Sequence, residues 1–164
     1  MHEQRSSSER ESYVSTRITK DSLDGFGSFE NLGTHEDGAV LIFQGRVRNT
    51  NDGRSVSSLS YEAYGDMAKQ ELGAICREAS RRFEVGSIEA SHRVGDLALG
   101  QVSVVIGIAA PHRDTCYAAS RWVIEAIKER LPIWKHEHYQ DGDSHWVGSP
   151  EISETGPDSR LKET

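Results

Sequence analysis

Residues 102–113 read V-S-V-V-I-G-I-A-A-P-H-R. The segment from Val102 to Ala110 carries no charge, and then a proline, a histidine and an arginine arrive together. A near-continuous apolar run of that length predicts a strand over Gln101–Ala110, central in a sheet covered on both faces. Downstream, a helix is predicted from about Pro111 to Arg130, with Cys116, Ser120, Val123, Ile124, Ile127 and Leu131 on one stripe. Pro132 ends it, and Ile133–Tyr139 reads as a last main strand. Asp141-Gly142-Asp143 is turn chemistry and His145–Val147 a short return strand.

Upstream of the central run, Ser87–Val94 reads as a strand, joined to it by the glycine-bounded connection Gly95–Gly100. Before that, Ala68, Leu72, Ile75, Cys76, Ala79 and Phe83 fall on one face of a helix over Asp66–Phe83, with Lys69, Arg77, Glu78 and Arg81 on the rest of its surface. Two further strands, Ala39–Val47 and Val56–Ala63, flank the turn N-T-N-D-G-R (Asn49–Arg54) and are expected to pair through it. Tyr13–Thr19 alternates weakly and is a first strand, and Asp21–Asp37 holds at most a short helix. Residues 1–12 form a Ser-, Glu- and Arg-rich leader that cannot bury anything and is expected to be disordered. Residues 13–148 then make one domain and 149–164 a polar tail. The order β-β-α-β-β-α-β lacks strict β-α-β alternation. It predicts an α+β domain with a mostly antiparallel sheet and two main helices. No internal repeat is seen.

Composition narrows the function. The 164 residues carry a formal net charge of −7, which disfavours a nucleic-acid or anionic-membrane partner. An anion site must therefore arise from local clustering of basic residues. No apolar run approaches the ~20 residues of a membrane span, and the polar start argues against a secretory signal. The two cysteines, Cys76 and Cys116, lie far apart on apolar helix faces. That fits packing in a reducing, cytoplasmic setting rather than a disulfide scaffold or zinc knuckle.

The functional candidates are basic residues at element ends. Arg46 and Arg48, two apart at a strand end, project from one face; a pair of solvated edge arginines has the same pattern. His112 and Arg113 stand where the central strand hands over to the second helix, whose free N–H groups and dipole favour an anion. Two polar residues in water at a helix start would look alike. Lys128 borders the second helix's apolar stripe and Lys135 sits beside Trp134 on the following strand. Such lysines commonly snorkel, but near other cations and apolar walls a lysine can serve in proton transfer. His136 and His138 form an H-x-H with His145 close behind. Without nearby cysteine and with Lys135 adjacent, they read as solvated strand-face histidines rather than metal ligands. No nucleophile-elbow, P-loop or dinucleotide motif occurs.

Five segments together carry a resemblance. They are G-A-V-L-I-F-Q-G-R-V-R-N (Gly38–Asn49), L-S-Y-E-A-Y-G-D-M-A (Leu59–Ala68), H-R-V-G-D-L-A-L-G (His92–Gly100), P-H-R-D-T-C-Y-A-A (Pro111–Ala119) and A-I-K-E-R-L-P-I-W-K-H-E (Ala126–Glu137). In order and spacing this set resembles the large subunit of molybdopterin synthase, and Arg17-Ile18-Thr19 looks like that family's first strand. The resemblance implies an α/β hammerhead-like fold and a homodimer in which each copy receives the C-terminal tail of a small ubiquitin-like sulfur carrier. It implies a sulfurtransferase of molybdenum cofactor biosynthesis, inserting two carrier-derived sulfurs into cyclic pyranopterin monophosphate to give molybdopterin. No cofactor and no metal are implied. Carried over position by position, the family's substrate pocket falls on Arg46, Val47, Arg48, His112, Arg113, Lys128, Lys135, His136 and Glu137, with Lys128 and Lys135 as its catalytic lysines. His136 departs from the pattern, since a second lysine is usual there.

Two other classes fit the same basic residues: a non-catalytic module binding an anionic metabolite, with no need of a tail-accepting channel, and a phosphoester hydrolase or phosphotransferase built on His112. The second would call for carboxylates or a metal beside that histidine.

Overall fold

The computed structural model describes residues 12–25 and 31–147. In chain order these form β1 (Tyr13–Thr19), β2 (Ala39–Arg46), β3 (Thr50–Asn51), β4 (Arg54–Ala63), α1 (Gly65–Phe83), β5 (Ser87–Arg93) and β6 (Gly95–Ala98). There follow β7 (Val102–Ala110), α2 (Arg113–Arg130), β8 (Ile133–Tyr139) and β9 (Ser144–Val147). Apart from Ser12, the leader and the polar tail lie outside the described residues, as do residues 26–30 of the expected short-helix region.

The uncharged run becomes β7, and all of its residues are buried. It lies between β5 and β2 in a four-stranded sheet of order β1-β5-β7-β2. Both of its neighbours run antiparallel to it, while β1 pairs with β5 in parallel. Val104, Ile106, Ile108 and Ala110 pack into the main core with Leu72, Ile75 and Cys76 of α1 and Val123 and Ile127 of α2. Leu23, with Val102 and Val105, forms a separate small cluster. Leu72, Ile75, Ile106 and Ile108 have no exposed surface, and side chains of this size stabilise by roughly 1.5–3 kcal/mol each when fully buried. Arg130 clamps the two helices through Glu71 and Glu78 of α1, at 2.8 and 2.7 Å.

The second sheet has the order β3-β4-β8-β9, with β6 also pairing β4. Its inner face carries the cluster Val47, Val56, Leu59, Leu97 and Tyr139. The overall arrangement is the expected α+β one, with two main helices and mostly antiparallel pairing.

One expected pairing does not form. β2 does not zip to β4 through the Asn49–Arg54 loop; β2 pairs with β7, and β4 pairs with β8 along Val56–Ala63. The loop builds only the small ladder of Thr50 with Ser55 and Asn51 with Arg54. The reason lies at the end of β2. Its register breaks between Gly45 and Arg46, and Val47 is then pulled inward to 4% exposure beneath the second sheet. Its N–H donates to the Gln101 carbonyl at 3.0 Å and its carbonyl accepts from the Gly100 N–H at 2.8 Å. A turn sequence reports that the chain reverses, but not which partner a strand takes. The glycine-bounded connection likewise contains a strand, β6, rather than only loop.

Candidate active site

The change of sheet at Val47 opens a cavity of about 660 Å³ between the end of β2, the inner face of β4 and β8, and the last turns of α2. Four cationic side chains line it: Arg46, Arg48, Lys128 and Lys135. Phe43, Val104, Ile124, Ile127 and Leu131 supply apolar wall. Gly45 belongs to this wall because a Cβ there would come within 2.6 Å of Val104 Cγ1. Arg46 is anchored, its Nε donating to the Gly100 carbonyl at 2.9 Å. Arg48 and Lys128 are exposed and make no hydrogen bond or ion pair among the described residues, which leaves both charges available to an incoming anion. Lys128 also borders a second, shallower groove between β2 and α2, of about 520 Å³, lined by Leu41, Phe43, Tyr117 and Ile124 among others. The groove and the cavity share Phe43, Ile124 and Lys128.

Lys135 is held differently. Its ammonium lies 2.6 Å from Glu137, two residues on and therefore on the same face of β8. Glu137 is only 2% exposed. Besides Lys135 it accepts from Asn51 Nδ2 at 3.0 and 2.9 Å and from the Tyr139 hydroxyl. Burial pushes the Glu137 carboxyl up, but hydrogen bonds from Lys135, Tyr139 and Asn51 outweigh it, and the group titrates below its ordinary value of 4.5. The Tyr139 phenol is raised by the same hydrogen bond to Glu137. Glu137 is thus a buried anion that fixes one cavity lysine, and Asn51 fixes Glu137.

The remaining sequence candidates separate. Val47 packs in the second core cluster and does not line the cavity, because the bulge turns it inward. His136 is on the opposite face of β8 from Lys135, stacked on Trp146 with ring centroids 4.3 Å apart and 4.3 Å from His138. Burial, then His138 and His145, hold its imidazole below the ordinary 6.5, against the pull of Glu62. His112 is the N-cap of α2 and Arg113 its first residue, both exposed. Lys128 lies about 22 Å further along the same helix at 1.5 Å per residue. One chain therefore does not bring His112 and Arg113 to the cavity. Sequence reasoning missed Asn51, which it read as turn chemistry only, and the wall residues Tyr61, His92 and Ser103. His92 lay in a quoted motif, but nothing in a single sequence says that a strand histidine faces a cavity.

Both cysteines are buried in the main core, away from the cavity. Burial pushes the Cys76 thiol up to about 12, and raises the Cys116 thiol as well. Neither is a sulfur nucleophile for the cavity. Among the described residues no three His, Cys, Asp or Glu side chains gather as metal ligands, and no helix is long and apolar enough to cross a membrane.

Residues 18–130 match the family model described as MoaE protein. The chain belongs to the MoaE protein family. The molybdopterin synthase catalytic subunit of Halalkalibacterium halodurans is 44% identical over 111 residues, 68% of this chain and 70% of that protein. The crystal structure of molybdopterin synthase from Staphylococcus aureus superposes with a TM-score of 0.74 at 34% identity, covering 80% of this chain and 95% of that one. A complex of subunits 1 and 2 of molybdopterin-converting factor from Helicobacter pylori shares the fold at 21% identity and a TM-score of 0.62, covering 91% and 98%. This MoaE chain is therefore an enzyme subunit of the molybdopterin synthase kind, of the catalytic type.

Proposed function

We propose that the cavity binds cyclic pyranopterin monophosphate and receives in turn the C-terminal thiocarboxylates of two small ubiquitin-like carriers, each giving up one sulfur and leaving as a carboxylate, to form the dithiolene of molybdopterin. The carrying observation is that four cations converge on one cavity of a chain with net charge −7, while both thiols are sealed in the core. Such a site attracts two anionic groups, the substrate phosphate and the thiocarboxylate, and must take its sulfur from elsewhere. The groove along α2 supports the carrier reading, because it gives an extended chain an approach to Lys128. The two-subunit complex of the Helicobacter pylori relative supports it as well.

In this reading the free ammonium of Lys128 serves the chemical step, by proton transfer or by stabilising a covalent intermediate. Lys135, tethered to Glu137, holds the anionic partners in place. Arg48 orients the phosphate. His112 and Arg113 are too far along α2 to join from the same chain, so they act on the cavity of a second copy, in a homodimer that becomes a heterotetramer with two carriers. The test incubates the chain with thiocarboxylated carrier and cyclic pyranopterin monophosphate and detects the dithiolene product by mass. Tight pterin binding without product would make this an anion-binding module instead.

A further inference from the structure

One wall of the cavity carries no charge, and its chemistry differs from the rest. His92, on β5, lines the cavity yet is only 7% exposed. Its Nδ1 lies 2.8 Å from the Arg93 carbonyl, which can only accept, so Nδ1 carries the proton. Nε2 is then an unprotonated acceptor, and it has no hydrogen-bond partner among the described residues. Burial lowers the imidazole's pKa to about 4, so the ring stays neutral at pH 7 and this arrangement persists. Tyr61 stands edge-on to the ring at 5.1 Å between centroids. Ser103 lines the same wall, and its hydroxyl donates to the Gly45 carbonyl at 3.1 Å. Burial raises the Tyr61 phenol, so it too is uncharged. Tyr61 is the cross-strand partner of Lys135, so the neutral wall adjoins the cationic one.

A lone pair on a fixed, almost fully buried imidazole is wasted on a phosphate, which offers no donor at neutral pH beyond its residual proton, and on a thiocarboxylate, which offers none. It suits an N–H of a flat, polar heterocycle that is seated against Phe43 and Val104 with its anionic end at the cations. We propose that His92 Nε2 accepts a hydrogen bond from a ring or amino N–H of the pterin, making the Tyr61–His92–Ser103 wall the part of the site that selects the heterocycle. This rests on the pterin reading above and adds to it which wall reads the ring.

The test uses the full chain, with three probes: cyclic pyranopterin monophosphate, inorganic phosphate, and a peptide of the carrier's C-terminal residues. In ¹⁵N-histidine-labelled wild type, saturating pterin should move the His92 Nε2 resonance from an unprotonated toward a hydrogen-bonded value. Phosphate and the peptide should leave it in place. His92→Phe should weaken pterin binding at least tenfold and leave phosphate binding within twofold, and His92→Gln, which returns an acceptor near the Nε2 position, should recover part of the loss. A His92 resonance unmoved by bound pterin overturns the inference alone. Movement by phosphate or by the peptide also overturns it, as does equal loss of pterin and phosphate binding in His92→Phe. If wild type binds no pterin, the broader reading falls with it.

Discussion

The two faces of β8 carry much the same chemistry and meet opposite fates. Lys135 and Glu137 point into the cavity, where the lysine is locked to a buried carboxylate that also takes Asn51 and Tyr139. His136 and His138, one residue out of phase, lie on the outer face among Trp146, Ser60 and each other. Adjacent positions in K-H-E-H thus belong to different environments, because a strand alternates its side chains strictly. A residue-by-residue carry-over from a family pattern treats K-H-E as one patch. The pleat divides it, giving Lys135 and Glu137 to the cavity and His136 to solvent and Trp146.

The sharpest separation of the two faces should come from the lysine on the cavity side that has no partner. Lys128→Ala is expected to lower single-turnover dithiolene formation 10²-fold or more at saturating carrier and pterin, the scale of a lost proton-transfer group. Lys128→Arg should recover little, since a guanidinium keeps the charge and holds its proton near neutral pH. A Lys128→Arg enzyme turning over at the wild-type rate would reduce Lys128 to an electrostatic anchor.

Next in size is Glu137. Glu137→Leu leaves the Lys135 ammonium, the Asn51 amide and the Tyr139 hydroxyl without their common acceptor, and should destabilise by on the order of 3 kcal/mol in urea unfolding. Its folded-state titration lies below 4.5, so its contribution is fully present above that value and is lost as pH falls through the lower, folded one. Glu137→Gln should flatten that acid limb of the stability curve. A variant as stable as wild type, with an unchanged acid limb, would show the buried carboxylate to be idle.

How legible this was follows from the same residues. Strand and helix positions were readable because β7 is apolar throughout and the α1 and α2 stripes repeat at helical spacing, signals that are local. The partner of β2 was not, because it depends on a bulge at Gly45/Arg46 and the burial of Val47, both fixed by contacts with residues 100 and 101. For the site, a basic residue at an element end marks a candidate, and Arg46, Arg48, Lys128 and Lys135 did converge. Distance along a helix is equally readable: fifteen residues of α2 keep Arg113 from Lys128 in one chain. What no pattern marks is the support, Asn51 beneath Glu137 and Tyr61 against His92, since neither pair is near in sequence.

A third experiment exploits that helix distance. Arg48→Ala and Arg113→Ala should each weaken pterin binding by about 1.5–3 kcal/mol, the loss of one charged hydrogen bond. If Arg113 serves the other copy's cavity, refolding the two variants together restores one intact cavity in each mixed dimer. Titration of the mixture should then show wild-type affinity in about a quarter of all sites, assuming the copies reassort at random as C₂ dimers. A mixture with no high-affinity sites would place Arg48 and Arg113 in the same chain's function, or Arg113 in none.

The smallest effect is expected on the outer face of β8, and it bears most directly on the contrast between the faces. His136→Ala removes a ring stacked on Trp146, but leaves the Lys135–Glu137 pair and every cavity wall as they were. The imidazole is held below its ordinary 6.5 by burial and its histidine neighbours, so near pH 7 its neutral form dominates. Pterin affinity should therefore change less than twofold, and stability by about 0.5–1.5 kcal/mol for the lost ring contact. His136→Lys loses the same ring contact, and should act on pterin binding only through its added charge. Its effect should accordingly shrink as ionic strength rises above 0.1 M, where exposed charges more than about 10 Å apart are screened. A tenfold loss of pterin binding in His136→Ala, with the fold intact by urea unfolding, would mean that the outer face of β8 reaches the substrate, and the division of this strand into two environments would have to be given up.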